Sequence, residues 1–192
     1  MKRLFLSLAL LTAPAAASAA DIFCEYPWFV RNLIFDRAGY CFSSPLGQAL
    51  FDNADCTGTD ITLSPRDAAA VAHIRELEAR EMCQIDTSAG RLDHQDAFQH
   101  LHRMTVLPIP VEHESGCSGY LGPERLVMPA PSPLASPVQG VLTQGTDILF
   151  GHLAEGTWEF VGIYPEGWSG EPTLYGWVDF GGTFPACQQY AG

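Results

Sequence analysis

The sequence predicts an α+β fold, in which a small helical domain cross-linked by disulfides is followed by a small β-barrel domain. Three observations support this: an even number of cysteines, apolar residues at helical spacing early in the chain, and short β-prone runs separated by glycine and proline near its end. They divide the chain into a signal peptide at residues 1–20, a helical domain at 21–87, a linker and irregular segment at 88–137, and a β domain at 138–192.

The N-terminus has the features of a secretory signal peptide. Lys2 and Arg3 form a positively charged start, residues 4–11 form an apolar run too short to span a bilayer, and residues 17–20 are small enough to suit a signal peptidase. We therefore expect a periplasmic or secreted protein that is not inserted in a membrane once this peptide has been removed.

The charge of the chain restricts its partners. The formal net charge is −12, and Lys2 is the only lysine. A surface this acidic repels phosphate backbones and anionic lipid headgroups, and it favours a soluble monomer. The composition therefore argues against a nucleic-acid or membrane-surface partner.

The six cysteines predict disulfide bonds. An even number in an oxidising compartment favours complete pairing, and no close C-x-x-C pair suggests a zinc or redox site. Six cysteines allow fifteen complete pairings, and spacing alone does not choose among them. Because four lie before residue 85 and two after 115, we prefer the pairs Cys24–Cys83, Cys41–Cys56 and Cys117–Cys187.

Two helices are expected in the first domain. Pro27 can start the first, residues 28–35 are apolar nearly all round, and Gly39 suits a left-handed end. Ser64 with Pro65 is a start signal for the second. One face of that second helix carries Val71, Ile74 and Leu77. The segment between the two helices, residues 43–62, is expected to be a loop.

The last part of the chain has the pattern of a small β domain. Short β-prone runs alternate with glycine and proline, which favours a barrel or sandwich. The predicted strands are Val138–Leu142, Ile148–Leu153, Thr157–Tyr164 and Leu174–Phe180.

A signature in the first domain suggests a family. It consists of Phe35-Asp36-Arg37-Ala38-Gly39, preceded by Arg31-Asn32 and followed by Tyr40, Phe42, Phe51 and the Leu63…Ile74…Leu77-Glu78 helix. With these residues, segment 24–83 resembles the YARHG domain of bacterial envelope and secreted proteins, with Ala38 where the family has histidine. The resemblance implies an envelope or extracellular binding role and supplies no reaction.

A second resemblance concerns the end of the chain. Gly145-Thr146, Trp158–Val161 and Gly176–Val178 give residues 156–180 a likeness to bacterial SH3-like domains. This implies that the predicted barrel is SH3-like.

Arg31 and Arg37 are candidate ligand-binding residues because both lie in an apolar helix, where a guanidinium needs a partner. They could capture a carboxylate, such as a peptide terminus. The alternative is a structural network with acidic residues of the same domain. The acidic residues available for it are Asp36, Asp52, Asp55 and Glu78.

Aromatic residues near the C-terminus form the other candidate site. Trp168 lies in a Gly- and Pro-rich segment that reads as an exposed loop, and Tyr164 and Tyr175 flank it. Surface Trp and Tyr suit stacking on sugars or binding of proline-rich peptides. Trp158 and Trp177 are expected in the core.

No catalytic residue, cofactor or metal site is predicted. Extended backbone would put His100 and His102 on one face, but their surroundings match no standard metal motif, and no G-x-S-x-G nucleophile motif is present. The sequence therefore favours non-enzymatic recognition of a cell-envelope peptide or glycan, or of a protein partner. The alternatives are a secreted cell-wall hydrolase and an inhibitor of an exported enzyme.

Overall fold

The computed structural model describes residues 21–165, 167–168 and 170–192, so the predicted signal peptide lies outside the described residues. Within these residues helices come first and strands follow, which confirms the mixed helix and sheet prediction. The helices are α1 (Ile22–Arg37), α2 (Pro45–Leu50), α3 (Pro65–Arg80) and a 3₁₀ helix (Gln95–Arg103). The strands are β1 (Pro110–Tyr120), β2 (Arg125–Val127), β3 (Gly140–Leu142), β4 (Asp147–His152), β5 (Trp158–Tyr164), β6 (Leu174–Asp179) and β7 (Cys187–Ala191). No described helix is both long and apolar enough to cross a membrane.

The start of α1 differs from the prediction. The helix begins at Ile22 rather than at Pro27, which lies inside it. The Asp21 side chain caps it by accepting the backbone N–H of Phe23 at 3.2 Å. An internal proline removes one helical hydrogen bond, but the cap and the buried apolar residues that follow Pro27 sustain the helix.

The other helix signals are confirmed. Gly39 ends α1 with φ +85°, a backbone conformation that favours glycine. A Cβ at this position would also lie 2.7 Å from Thr57 Oγ1, so there is no room for a side chain. Ser64 caps α3 by accepting the N–H of Asp67 at 3.1 Å. The expected face of α3 is buried, with Val71, Ile74 and Leu77. The expected loop between these helices contains the short helix α2, capped by Ser44.

The strands form an open sheet, which corrects the prediction of a closed, SH3-like barrel. Five strands lie in the antiparallel order β6-β5-β4-β1-β7, and β2 and β3 form a separate two-stranded sheet. In the larger sheet the edge strands β6 and β7 do not pair with each other, so the sheet does not close. The four predicted strands correspond to β3–β6, whereas β1, β2 and β7 were not anticipated.

The segment expected to be a linker, residues 88–137, contains the 3₁₀ helix, β1 and β2. Strand β1 lies between β4 and β7, so it is an interior strand of the sheet. Its register is irregular between Pro110 and Ser115, where a polar stretch interrupts the alternation of apolar residues. Because of this irregularity, β1 was not predicted from the sequence. The division into domains at 87 and 137 stays a prediction.

Two hydrophobic clusters lie on opposite faces of the larger sheet. The first joins the helices to one face through residues such as Phe29, Leu101, Phe160 and Trp177. The second fills the other face, with Ile148 and Val161 among others. The helical region is therefore packed directly on the sheet.

Three disulfides cross-link the described residues. They join Cys24 to Cys83, Cys41 to Cys56 and Cys117 to Cys187, the pairs preferred from the sequence. The first ties α1 to the end of α3, and the third links β1 to β7. Bridges in small domains typically contribute about 2–4 kcal/mol each.

Candidate functional site

The two candidate arginines contact other parts of the protein. Arg31 Nε donates to both carboxylate oxygens of Glu78, at 3.0 Å each, and so joins α1 to α3. Arg37 Nη2 donates to the carbonyl oxygens of Leu101 at 3.2 Å and Met104 at 2.8 Å, at the end of the 3₁₀ helix. These contacts supply a structural role for both side chains. Their role in ligand binding stays a prediction.

A groove of about 310 Å³ lies beside Arg37. Ala38, which stands where the YARHG family has histidine, also lines it. The other basic side chain in the groove, Arg66, already forms an ion pair with Glu155. Because Arg37 and Arg66 both have protein partners, this groove is the weaker candidate for capture of a carboxylate.

The three candidate aromatic residues lie on one face of the larger sheet, the face on which the helices pack. We call Tyr164, Trp168 and Tyr175 the aromatic face. Tyr175 pairs with Gly162 of β5, which also pairs with Leu149 of β4. Leu149 in turn pairs with Gly116 of β1, whose side-chain position is occupied by the Trp168 ring.

Missing side chains in the sheet make room for this arrangement. A Cβ on Gly116 would lie 2.8 Å from Trp168 Cη2, a distance that real contacts do not reach. A Cβ on Gly162 would lie 3.2 Å from Pro172 and 3.4 Å from the Tyr175 ring. Glycine at these strand positions lets side chains from other elements lie directly on the backbone.

The Trp168 ring is seated but still open to solvent. Trp168 is 37 % exposed. Its ring centroid lies 5.1 Å from that of Tyr164, and the two ring planes are tilted by 46°. The expectation that Trp168 is exposed therefore agrees with its accessibility, although the ring lies on the sheet rather than at a free loop tip. Trp177, by contrast, is fully buried and donates through Nε1 to the Val106 carbonyl at 3.0 Å.

A buried carboxylate fixes the backbone that carries Trp168. Asp147 is only 1 % exposed. Its Oδ1 accepts the N–H of Gly119 at 2.8 Å, and its Oδ2 accepts those of Gly167 at 2.9 Å and Trp168 at 3.0 Å. Burial alone would raise the pKa of Asp147, but the hydrogen bonds it accepts outweigh burial and lower the pKa. The ionised carboxylate therefore binds the 167–168 backbone to the sheet.

Two exposed carboxylates, Glu114 and Glu171, are near enough to the tyrosines of the aromatic face to affect their pKa values. Burial raises the pKa of both Tyr164 and Tyr175, and the negative charges of Glu171 and Glu114 raise them further. Glu114 also lies over Gly151, where a Cβ would be 3.1 Å from its Cγ. Desolvation raises the pKa of Glu114 itself.

The inner edge of the aromatic face is lined by histidines. His100 is buried and stacks on Tyr175, with ring centroids 3.7 Å apart and planes within 7° of parallel. His152 shares a hydrogen bond of 2.8 Å with the Tyr26 hydroxyl. Burial lowers the pKa of His100 to about 4 and that of His152 to about 3, so both are neutral at pH 7.

The backbone at His100 and His102 is a 3₁₀ helix rather than extended, so the condition under which the two side chains would share a face is not met. His100 packs on Tyr175, whereas His102 meets the edge of Phe29. Among the described residues no group of three or more His, Cys, Asp or Glu side chains is arranged to hold a metal ion.

Sequence reasoning missed Asp147, Glu114, His152 and Tyr26 as neighbours of the site. None lies close in sequence to the cluster of residues 164–175. The only local signal was the position of Asp147 directly after the turn residues Gly145-Thr146. That position does not indicate that its side chain contacts residues 167 and 168. The contacts of Asp147, Glu114 and His152 follow from the pairing of β1, β4 and β5, and that of Tyr26 follows from the packing of α1 against His152.

Comparison with known proteins gives two family matches. A model described as YARHG domain matches residues 2–79, which confirms the resemblance found in the sequence. A second model, described as Domain of unknown function (DUF4453), matches residues 82–192 and so covers more than half of the chain. No curated protein and no solved structure matches. The chain thus belongs to the DUF4453 family, and its N-terminal region is similar to the YARHG domain.

Proposed function

We propose that this protein is an exported, non-enzymatic recognition protein that binds a cell-envelope component through the aromatic face. The observation that carries the proposal is the state of Trp168. Its ring is seated on Gly116, its backbone is bound to buried Asp147, and more than a third of it remains exposed. An aromatic ring held in place before binding loses little conformational entropy when a ligand covers it.

Two features support an exported, envelope-facing role. Disulfides persist in oxidising compartments, and three cross-link the described part of this chain. The N-terminal region is similar to the YARHG domain, whose resemblance implied envelope binding. We favour a periplasmic or secreted location, and we favour a monomer as the functional form.

The chemistry of the site favours binding over catalysis. Every described cysteine is in a disulfide, so none serves as a nucleophile. The histidines near the site are neutral and packed against aromatic rings. What the aromatic face offers a ligand is a flat apolar surface bordered by carboxylates, which is suited to recognition.

Sedimentation with insoluble cell-wall sacculi tests the proposal. We expect the wild-type protein to pellet with sacculi and Trp168→Ala to pellet at least about tenfold less, with a nearly unchanged melting temperature. Phe184→Ala is the matched control, because Phe184 is also exposed, at 56 %, but packs on Phe150 of the opposite face. Equal pelleting of wild type and Trp168→Ala would overturn the aromatic face as the binding surface.

A further inference from the structure

The larger sheet has two edges, and within the described chain only one of them is covered by another segment. At the β6 edge the backbone of Trp177 exchanges two hydrogen bonds of 2.8 Å with that of Met128. At the other edge lies β7, and no described strand pairs with its outer side. Residues 188–191 of β7 are all exposed. An open edge of this kind presents backbone N–H and C=O groups that another extended chain can bond.

The register of the sheet shows which backbone groups of β7 face outwards. The N–H of Phe180 donates to the carbonyl oxygen of Thr157 at 3.1 Å, which identifies a hydrogen-bonded pair between the ends of β5 and β6. Hydrogen-bonded and non-hydrogen-bonded pairs alternate from there through β5, β4 and β1. Followed into β7, this alternation directs the backbone of Gln189 towards β1. The N–H and C=O groups of Gln188 and Tyr190 therefore point away from the sheet.

Strand β7 has none of the features that usually protect an open edge. Its sequence, Cys-Gln-Gln-Tyr-Ala, contains no charged residue and no proline, although the formal net charge of the chain is −12. Soluble proteins commonly discourage pairing at an edge with lysine, other charges or proline. The Cys117–Cys187 disulfide also ties β7 to the interior strand β1. The edge is thus held in place and left free to pair.

An aromatic groove borders the same edge. It has a volume of about 340 Å³ and is lined by Ser115, Gly116, Phe184, Tyr190, Ala191 and Gly192. The two aromatic residues are 56 % and 55 % exposed, and their ring centroids lie 5.7 Å apart. The Tyr190 hydroxyl donates to the carbonyl oxygen of Pro185 at 2.8 Å, which fixes the ring. An apolar side chain on an added strand would pack against this pair of rings.

From these observations we propose that β7 is a docking edge, at which an extended, non-acidic segment of another protein adds to the sheet as a further strand. The inference goes beyond the proposed function, because it concerns a second surface and a second partner. The backbone of the added segment exchanges hydrogen bonds with Gln188 and Tyr190, and one of its apolar side chains contacts Phe184. In strand addition the main-chain hydrogen bonds give affinity, and alternate side chains give specificity.

The charge of the chain favours a peptide segment over a second copy of this protein. Two chains that each carry a formal net charge of −12 repel one another. Pairing of β7 with itself also joins strands of only five residues, about 17 Å long, whereas stable protein interfaces bury roughly 1,200 Å² or more. A neutral or basic peptide avoids this repulsion, so the segment is expected to carry no acidic residue.

The test selects peptides on the whole oxidised protein and compares variants of the edge. The probe is a display library of random peptides about ten residues long, a length that covers a strand. Gln188→Pro removes an outward N–H, and an edge strand tolerates proline where that group faces solvent. Gln188→Ala is the matched control, because it shortens the same side chain and keeps the N–H. Trp168→Ala is a second control, which removes the aromatic face instead.

We expect selected peptides to bind wild type, Gln188→Ala and Trp168→Ala alike, and to bind Gln188→Pro at least about tenfold more weakly at a nearly unchanged melting temperature. Amide hydrogen exchange of Gln188 and Tyr190 should be fast in the free protein and slowed at least about tenfold by the peptide. No enriched peptide, equal binding to Gln188→Pro, or slow exchange at both positions in the free protein overturns the proposal.

A second arm needs no variant and holds even if Gln188→Pro does not fold. Two synthetic copies of a selected peptide are N-methylated, each on one of the two alternate sets of backbone nitrogens, and titrated into the wild-type protein. Because only alternate N–H groups of an added strand face its neighbour, one copy should lose binding and the other should keep it. Loss in both copies, or in neither, overturns strand addition. A wild-type dimer in sedimentation that Gln188→Pro dissociates overturns the peptide partner in favour of a second copy.

Discussion

Replacing Asp147 by asparagine isolates the contact that positions Trp168. The substitution keeps the shape of the side chain but removes its charge and turns one acceptor oxygen into an NH₂ donor. If the amide oxygen faces Gly119, the NH₂ group faces the N–H groups of Gly167 and Trp168, and neither is satisfied. If the amide is reversed, the N–H of Gly119 loses its acceptor instead.

The expected loss follows from these contacts. A hydrogen bond to a charged group contributes about 1.5–3 kcal/mol, and asparagine loses at least one of the three that Asp147 accepts. Relief from burying a charge offsets part of this loss. We expect a net destabilisation of about 1–2 kcal/mol, which lowers the melting temperature of a protein of this size by roughly 2–8 °C.

Two measurements check the prediction: thermal unfolding, and the emission of Trp168 obtained as the difference from Trp168→Ala. Asp147→Asn should show the lower melting temperature, a red-shifted Trp168 emission and weaker pelleting with sacculi. Asp179→Asn is the control, since Asp179 accepts one N–H, that of Gly181, in an exposed turn. An Asp147→Asn protein with wild-type stability and emission would refute the positioning argument.

Three further predictions concern stability. Arg31→Ala should destabilise the protein by about 2 kcal/mol, measured in urea, because it leaves the carboxylate of Glu78 without its cation; an unchanged midpoint would speak for a ligand role instead. Trp177→Ala should cost roughly 3–5 kcal/mol through its cavity, and a smaller loss would mean that the site collapses. Burial lowers the pKa of His100 to about 4 and that of His152 to about 3, so below pH 6.5 the unfolded chain binds protons that the folded protein does not. The contribution of these histidines to the free energy of unfolding is therefore complete above pH 6.5 and decreases as the pH falls towards 4 and then 3. Melting temperatures of wild type and His152→Gln across this range check the last point, since the variant should decline less steeply.

Local signals explain what the sequence predicted well. The Ser64-Pro65 start of α3 and Gly39 at the end of α1 are read from a few adjacent residues, and the structure confirms both. The strands β3–β6 carry compact β-prone runs bounded by glycine and proline. Disulfide preferences followed from the distribution of cysteines along the chain.

Long-range pairing explains what was missed. Strand β1 is polar and irregular in its first half, and β7 is a short edge strand, so neither has a clear pattern on its own. The closed barrel was predicted from the short strands with turn signals and from the SH3-like resemblance, and the sheet is instead open, with β7 at one edge. The aromatic members of the site were found because Tyr164, Trp168 and Tyr175 lie close in sequence, whereas Glu114 and Asp147 reach it from other strands.

The two regions matched by different families share one hydrophobic cluster. The matches meet at the end of α3, at residues 79 and 82, yet α1 buries Phe29 and Leu33 in the same cluster as Leu101, Phe160 and Trp177. Burying a large apolar side chain contributes roughly 1.5–3 kcal/mol, and a domain is stable by only about 5–15 kcal/mol in total.

Because of this shared cluster, we expect a fragment of residues 21–87 to lose cooperative folding even with Cys24–Cys83 and Cys41–Cys56 formed. The fragment would expose the face of α1 that the 3₁₀ helix and sheet cover in the whole protein. The measurement is the thermal unfolding curve and the amide NMR spectrum of the oxidised fragment beside those of residues 21–192. A broad, shallow transition and poor dispersion would show that the two regions fold as one unit. A sharp transition with well-dispersed amides would instead establish the helical region as an independent domain, and the contacts of Arg37 and Tyr26 would then join two preformed parts.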